Sequence, residues 1–112
     1  MSITTDIIRG HTDTIILAKL TSRDSYGYEI NKAIKQSSDG KYELNEATLY
    51  TAFKHLEDAG CITSYWGNEP NNARRKYYHI TQIGKETYNQ LMLDWENAKR
   101  IIDRLIITEE ET

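Results

Sequence analysis

Cysteine is almost missing from this chain: Cys61 stands alone, so no internal disulfide can form. That excludes the disulfide-stapled class of small domain and suits a reducing compartment. No apolar stretch approaches the roughly 20 residues of a membrane-spanning helix, and the opening MSITTDIIRG lacks a signal-peptide pattern. A cytoplasmic protein with no membrane partner is therefore expected. An excess of positive charge is missing too. The formal net charge is −3, with 14 Lys and Arg against 17 Asp and Glu. Ten of each fall before residue 81, whereas residues 81–112 carry four basic groups against seven acidic ones. The surplus acid thus belongs to the C-terminal part. A neutral body with a basic cluster at Arg74, Arg75 and Lys76 stays compatible with a nucleic-acid partner.

Catalytic signatures are absent as well. His11, His55 and His79 fall on three different elements, no His-x-x-x-His or Cys-x-x-Cys spacing occurs, and there is no glycine-rich phosphate loop or nucleophile elbow. No enzyme, metal site or cofactor is expected, and Cys61 reads as small core packing. No internal repeat or low-complexity linker divides the 112 residues, which suit one domain small enough for oligomerisation to add stability.

What is present is a clear succession of elements. Residues Asp6 to Leu20 predict a helix with a broad apolar surface, SRDS interrupts, and a second helix runs from about Tyr26 to Gln36, burying Ile30, Ala33 and Ile34. After the turn SSDG and the extended link YEL, the stretch NEATLYTAFKHLEDAG predicts a third helix. Asn45 is its N-cap, Gly60 its stop, and Leu49, Ala52, Phe53 and Leu56 its buried face. CITSYWG and KYYHIT then read as the strands of a β-hairpin, with the tip NEPNNAR between them. Three helices followed by such a wing give the winged helix-turn-helix order, in which the third helix enters the major groove and the wing follows the backbone or minor groove. From about Thr81 to Ile107 the apolar residues Tyr88, Leu91, Trp95, Ala98, Ile102 and Leu105 alternate gaps of three and four, a coiled-coil type seam. The fold class is mainly α with a small β-hairpin: a winged helix-turn-helix domain over 1–80, a long C-terminal dimerisation helix over 81–108 and an acidic tail over 109–112. The seam needs a partner, and the first helix, with Ile8 and Ile15, offers the other unpaired apolar surface. A homodimer is expected.

The polar side of the third helix carries Glu46, Ala47, Thr48, Tyr50, Thr51 and Lys54, mostly neutral hydrogen-bonding groups suited to phosphates and base edges. Arg74, Arg75 and Lys76 on the wing would hold phosphates, with Tyr26 at the start of the second helix a further phosphate candidate. Operator DNA is the expected partner. A solvated helix face and a charge-protected edge strand are the plainer alternatives. Trp95 has two readings. It packs in the dimer core, or two such rings line an interface cleft and stack on a flat aromatic ligand, with neighbouring acids favouring cations.

Three stretches, YGYEI at 26–30, ATLYTAFKHLEDAGCI at 47–62 and RRKYYHITQIGKE at 74–86, resemble PadR-family transcriptional regulators, and the likeness covers roughly residues 7 to 106. It is similar to the small subgroup with a single C-terminal helix. The resemblance implies a dimeric winged-helix repressor of a multidrug transporter or its own operon, released by a planar, often cationic aromatic effector held between two Trp95 side chains. It further implies that Ile7, Asp13, Thr14, Met92, Ala98 and Lys99 lie at or near that site, with Asp13 and Glu96 supplying acidity. A protein-interaction module, or a constitutive DNA-binding protein without effector, is the alternative.

Overall fold

A computed structural model of the chain describes residues 2–68 and 74–107. Residues 69–73 of the expected hairpin tip and the acidic tail at 109–112 lie outside the described residues. The elements run α1 (Ile3–Arg9), α2 (Thr12–Ser22), β1 (Ser25–Tyr26), α3 (Gly27–Ser37), α4 (Glu46–Asp58), β2 (Ile62–Trp66), β3 (Lys76–Ile80) and α5 (Gln82–Ile106).

The helix expected over Asp6 to Leu20 is broken into α1 and α2. His11 leaves the helical region (φ −109°, ψ 21°), and the Gly10 N–H is shared between the carbonyls of Asp6 and Ile7. Glycine's poor helix propensity places the break. The two pieces have different fates: α2 buries Ile16, Leu17 and Leu20 completely, whereas α1 buries no residue at all.

The second helix starts one residue later than expected, because Tyr26 is extended and pairs with Tyr77. Ser25 and Tyr26 form β1, which the sequence reading missed. The hairpin is therefore a three-stranded antiparallel sheet in the order β1-β3-β2. Between α3 and α4, the Asn31 side chain clamps the extended link: Nδ2 donates to the Leu44 carbonyl at 2.6 Å and Oδ1 accepts the Leu44 N–H at 2.9 Å. Asn45 then caps α4 by accepting the Thr48 N–H at 2.8 Å, and Gly60, at φ +78°, ends the turn after it. That left-handed angle favours a residue without Cβ.

The core gathers Phe53, Leu56, Ile16, Leu17, Leu20, Ile30 and Ile62. Helix α5 begins against it. Thr81 caps the helix by accepting the Gly84 N–H while its hydroxyl donates to the Gly60 carbonyl. Gly84 is buried against the Cys61 carbonyl, and a Cβ there would collide with it. Tyr88 and Leu91, like Ile8 and Ile15, are partly buried against the chain's own core, and this part of α5 lies along α2. Beyond Ala98 the helix is uncovered, with Ile102 and Leu105 both exposed. No helix among the described residues is long and apolar enough to cross a membrane.

Candidate nucleic-acid interface

Helix α4 turns its apolar stripe inward, which directs the rest of its side chains by geometry alone. Glu46, Ala47, Thr51 and Lys54 are exposed on the side away from the core. Lys54 reaches its neighbour Asp58 at 3.4 Å, an exposed pair one turn on. Tyr50 is 46% exposed, its ring edge-on to Phe53 at 5.5 Å. Thr48 is half-buried because it turns toward α1 and α2, where it meets Asp13, Thr51 and His55 in an open groove of about 550 Å³. In that groove Asp13 and His55 approach to 3.3 Å. Thr51 thus serves both faces, and Asp13, expected on the effector side, stands beside the helix expected to read DNA.

The wing stem is bound to α4 by two contacts. Phe53 stacks on the buried Tyr78 of β3 with centroids 3.9 Å apart, and Ser64 of β2 donates to Glu57 Oε2 at 2.8 Å. Burial, with the Glu57 charge and Tyr50 adding to it, pushes the Tyr78 phenol up to about 12. Tyr77 and Tyr78 alternate faces, with Tyr78 inside and Tyr77 half-buried on the outer face of the sheet.

That outer face carries an aromatic ladder across all three strands. Tyr26 meets Tyr77 edge-on at 5.3 Å, and Tyr77 stacks on Tyr65 at 5.6 Å. The basic residues sit on rings at the stem: Arg75 lies 4.7 Å from the Tyr26 centroid and Arg74 4.9 Å from that of Trp66. Such packing limits the freedom of two long side chains. Lys76, exposed, is a looser neighbour of Tyr78 at 5.9 Å.

Two contacts were not foreseen. Asp24 accepts the Tyr65 hydroxyl at 2.6 Å and meets His79 Nδ1 at 2.8 Å. Partial burial alone would push the Asp24 carboxyl up, yet the hydrogen bonds from Tyr65 and His79, with the His79 charge, hold it below its ordinary value. The same bond to Asp24 raises the Tyr65 phenol to about 12. The second contact is His11, whose ring stands edge-on to Trp95 at 4.8 Å. No local motif announces either, because the partners are distant in sequence.

Around the half-buried Trp95, Lys99 Nζ lies 5.9 Å from the ring and pairs with Glu96 at 3.3 Å. Thr14 and Ala98 are half-buried; Ile7 and Met92 are exposed. Among the described residues, no three His, Cys, Asp or Glu side chains are grouped as a metal site. Cys61 is buried, its thiol 3.6 Å from the Thr87 hydroxyl.

A helix-turn-helix braced against a three-stranded wing, with cations at the stem of the returning strand, is the architecture of a DNA-binding regulator. Residues 16–90 match the transcriptional regulator PadR-like family, and the chain belongs to that family, whose members are transcription regulators rather than enzymes. It is similar to a transcriptional regulator from Clostridium thermocellum, at 47% identity and a TM-score of 0.85 over 94% of this chain and 99% of that one. A PadR family regulator from Clostridium difficile aligns at 33% identity and a TM-score of 0.73, over 86% of this chain and 98% of that one. An uncharacterised protein from Lysinibacillus sphaericus is 43% identical over 98 residues, which is 88% of this chain and 90% of that protein.

Proposed function

We propose that this DNA-binding regulator acts as a homodimeric cytoplasmic repressor, of a multidrug transporter or of its own operon, close in kind to the lactococcal multidrug-binding repressor LmrR. In this reading residues 1–80 form the DNA-binding body and 81–108 the dimerisation helix. The observation that carries it is the joining of α4 to the wing through the Phe53–Tyr78 stack, which ties the helix bearing Ala47, Thr51 and Lys54 to the strand that Arg74 and Arg75 lead into. Helix α4 enters the major groove, where Glu46 and Tyr50 add contacts at its N-terminal half. Arg74, Arg75, Lys76 and Tyr26 hold phosphates. Ile102 and Leu105, exposed on α5, meet a second copy together with α1, and each is an apolar side chain whose burial stabilises association by about 1.5–3 kcal/mol.

The dimer brings two Trp95 side chains near each other, and a planar aromatic compound between them changes the angle of the subunits and releases the operator. Ile7, Asp13, Thr14, Met92, Glu96, Ala98 and Lys99 surround that place. Titrating tryptophan fluorescence with a planar cationic dye tests it, on wild type and on Trp95→Ala, which keeps Trp66 as internal reference. Saturable quenching lost in the variant is the expected result; quenching equal in both proteins rejects the site. One observation favours a second reading. His11 already packs against Trp95, with ring centroids 4.8 Å apart, and Lys99 lies 5.9 Å from the indole, so the tryptophan serves as packing and the regulator binds DNA with no effector.

A further inference from the structure

The Asp24 carboxylate, in the turn between α2 and β1, reaches two strands at once. Its partner Tyr65 belongs to β2, the strand farthest from β1, and its partner His79 to the central β3. One side chain therefore spans the sheet from the helix-turn-helix side. Strand β1 itself joins β3 through only two residue pairs, Ser25 with Tyr78 and Tyr26 with Tyr77, well short of the usual strand of about five or six residues. We infer that Asp24 is a positioning residue for DNA binding, holding the wing stem at a fixed angle to α3 and α4 so that Arg74, Arg75 and Lys76 reach phosphates while α4 occupies the major groove. The inference rests on the reading of the wing as the phosphate-holding element.

Geometry and charge both support it. The Tyr26–Tyr77–Tyr65 ladder lies on the same outer face, so the Asp24 bond to the Tyr65 hydroxyl locks the far end of the row on which Arg75 is seated. A bare carboxylate beside a phosphate-binding surface would repel DNA. Here both oxygens are engaged, one by a phenol and one by an imidazole that adds positive charge when protonated.

The test follows binding of a fluorescein-labelled mixed-sequence duplex by anisotropy between about 50 and 200 mM salt. It uses wild type, Tyr65→Phe, Asp24→Ala, Arg75→Ala and the Tyr65→Phe/Arg75→Ala pair, with thermal unfolding recorded for each. Tyr65→Phe changes no charge at neutral pH. It is expected to weaken binding about two- to tenfold and to lower the salt slope by about one phosphate contact, with no further loss once Arg75 is alanine. Asp24→Ala is expected to weaken binding too, although it removes a negative charge; a carboxylate that only repelled would give tighter binding. Unchanged affinity and slope in Tyr65→Phe, or tighter binding in Asp24→Ala, overturns the inference. An Arg75→Ala protein with the wild-type slope overturns the wing reading itself, which separates the two failures. If Asp24→Ala does not fold, Tyr65→Phe decides, since it removes a single hydroxyl from an exposed side chain.

Discussion

The two halves of α5 share one apolar rhythm and meet opposite surroundings. Near its start the helix is capped by Thr81, seated through the buried Gly84 and packed on the core by Tyr88 and Leu91. Near its end Ile102 is 47% exposed and Leu105 75%. Periodicity states that a face is to be covered, and the cover can be the chain's own body or another molecule. The first half packs on the chain's own core, and the second is left uncovered.

Substitutions can sharpen that contrast. The largest effect is expected at Gly84→Val, where the new Cβ meets the Cys61 carbonyl and cannot be accommodated without moving backbone. A loss of about 3 kcal/mol in urea unfolding is expected, whereas valine in place of Ile106, 72% exposed, leaves the monomer's stability unchanged. Next comes Leu105→Asp. It should weaken self-association by about 2 kcal/mol per buried site, read by sedimentation equilibrium, with unaltered helical circular dichroism; an unchanged dissociation constant would place the dimer contact elsewhere. Thr81→Ala follows, costing about 1 kcal/mol through the lost cap, and lowering the unfolding temperature at every protein concentration alike.

The smallest effect is a pH dependence at the wing stem, a region outside both halves. Asp24 titrates below its ordinary value in the folded protein. The folded state thus holds fewer protons there than the unfolded one. Its contribution is complete above the unfolded carboxylate pKa of about 3.9 and disappears as pH falls through the lower folded value. Tyr65→Phe should flatten the fall in urea midpoint below about pH 4. At the alkaline end the sign reverses for Tyr65 itself, whose neutral form is favoured: its contribution is present below the ordinary tyrosine value near 10 and is lost as pH rises toward 12.

Legibility in the sequence followed the range of the interactions. Helix α4 could be read from both ends because its cap, Asn45, acts three residues away and Gly60 sets its own backbone angle. The β2 and β3 strands announced themselves through β-branched and aromatic runs. Strand β1 did not, since two residues carry no period and their partners are more than fifty residues on. Breaking α1 from α2 at Gly10 was hidden by isoleucines on both sides. Among site residues, the outward place of Ala47, Thr51 and Lys54 followed from helix geometry, while the inward turn of Thr48 depended on where α2 lies. Asp24 looked like a turn residue because both its partners, Tyr65 and His79, lie far along the chain.

The clamp of Asn31 on Leu44 has a consequence for how such a regulator can diverge. Its carboxamide imitates a peptide group, offering one donor and one acceptor as a neighbouring strand would. The start of α4 is therefore registered to α3 by the Asn31 side chain together with the buried Tyr42 and Leu44 of the link. Lys41 and Glu43, both exposed in that link, are free to change with little effect on where the recognition helix begins. Asn31 has no such latitude: aspartate would lack the donor, leucine would lack both groups, and glutamine would carry its amide one methylene too far.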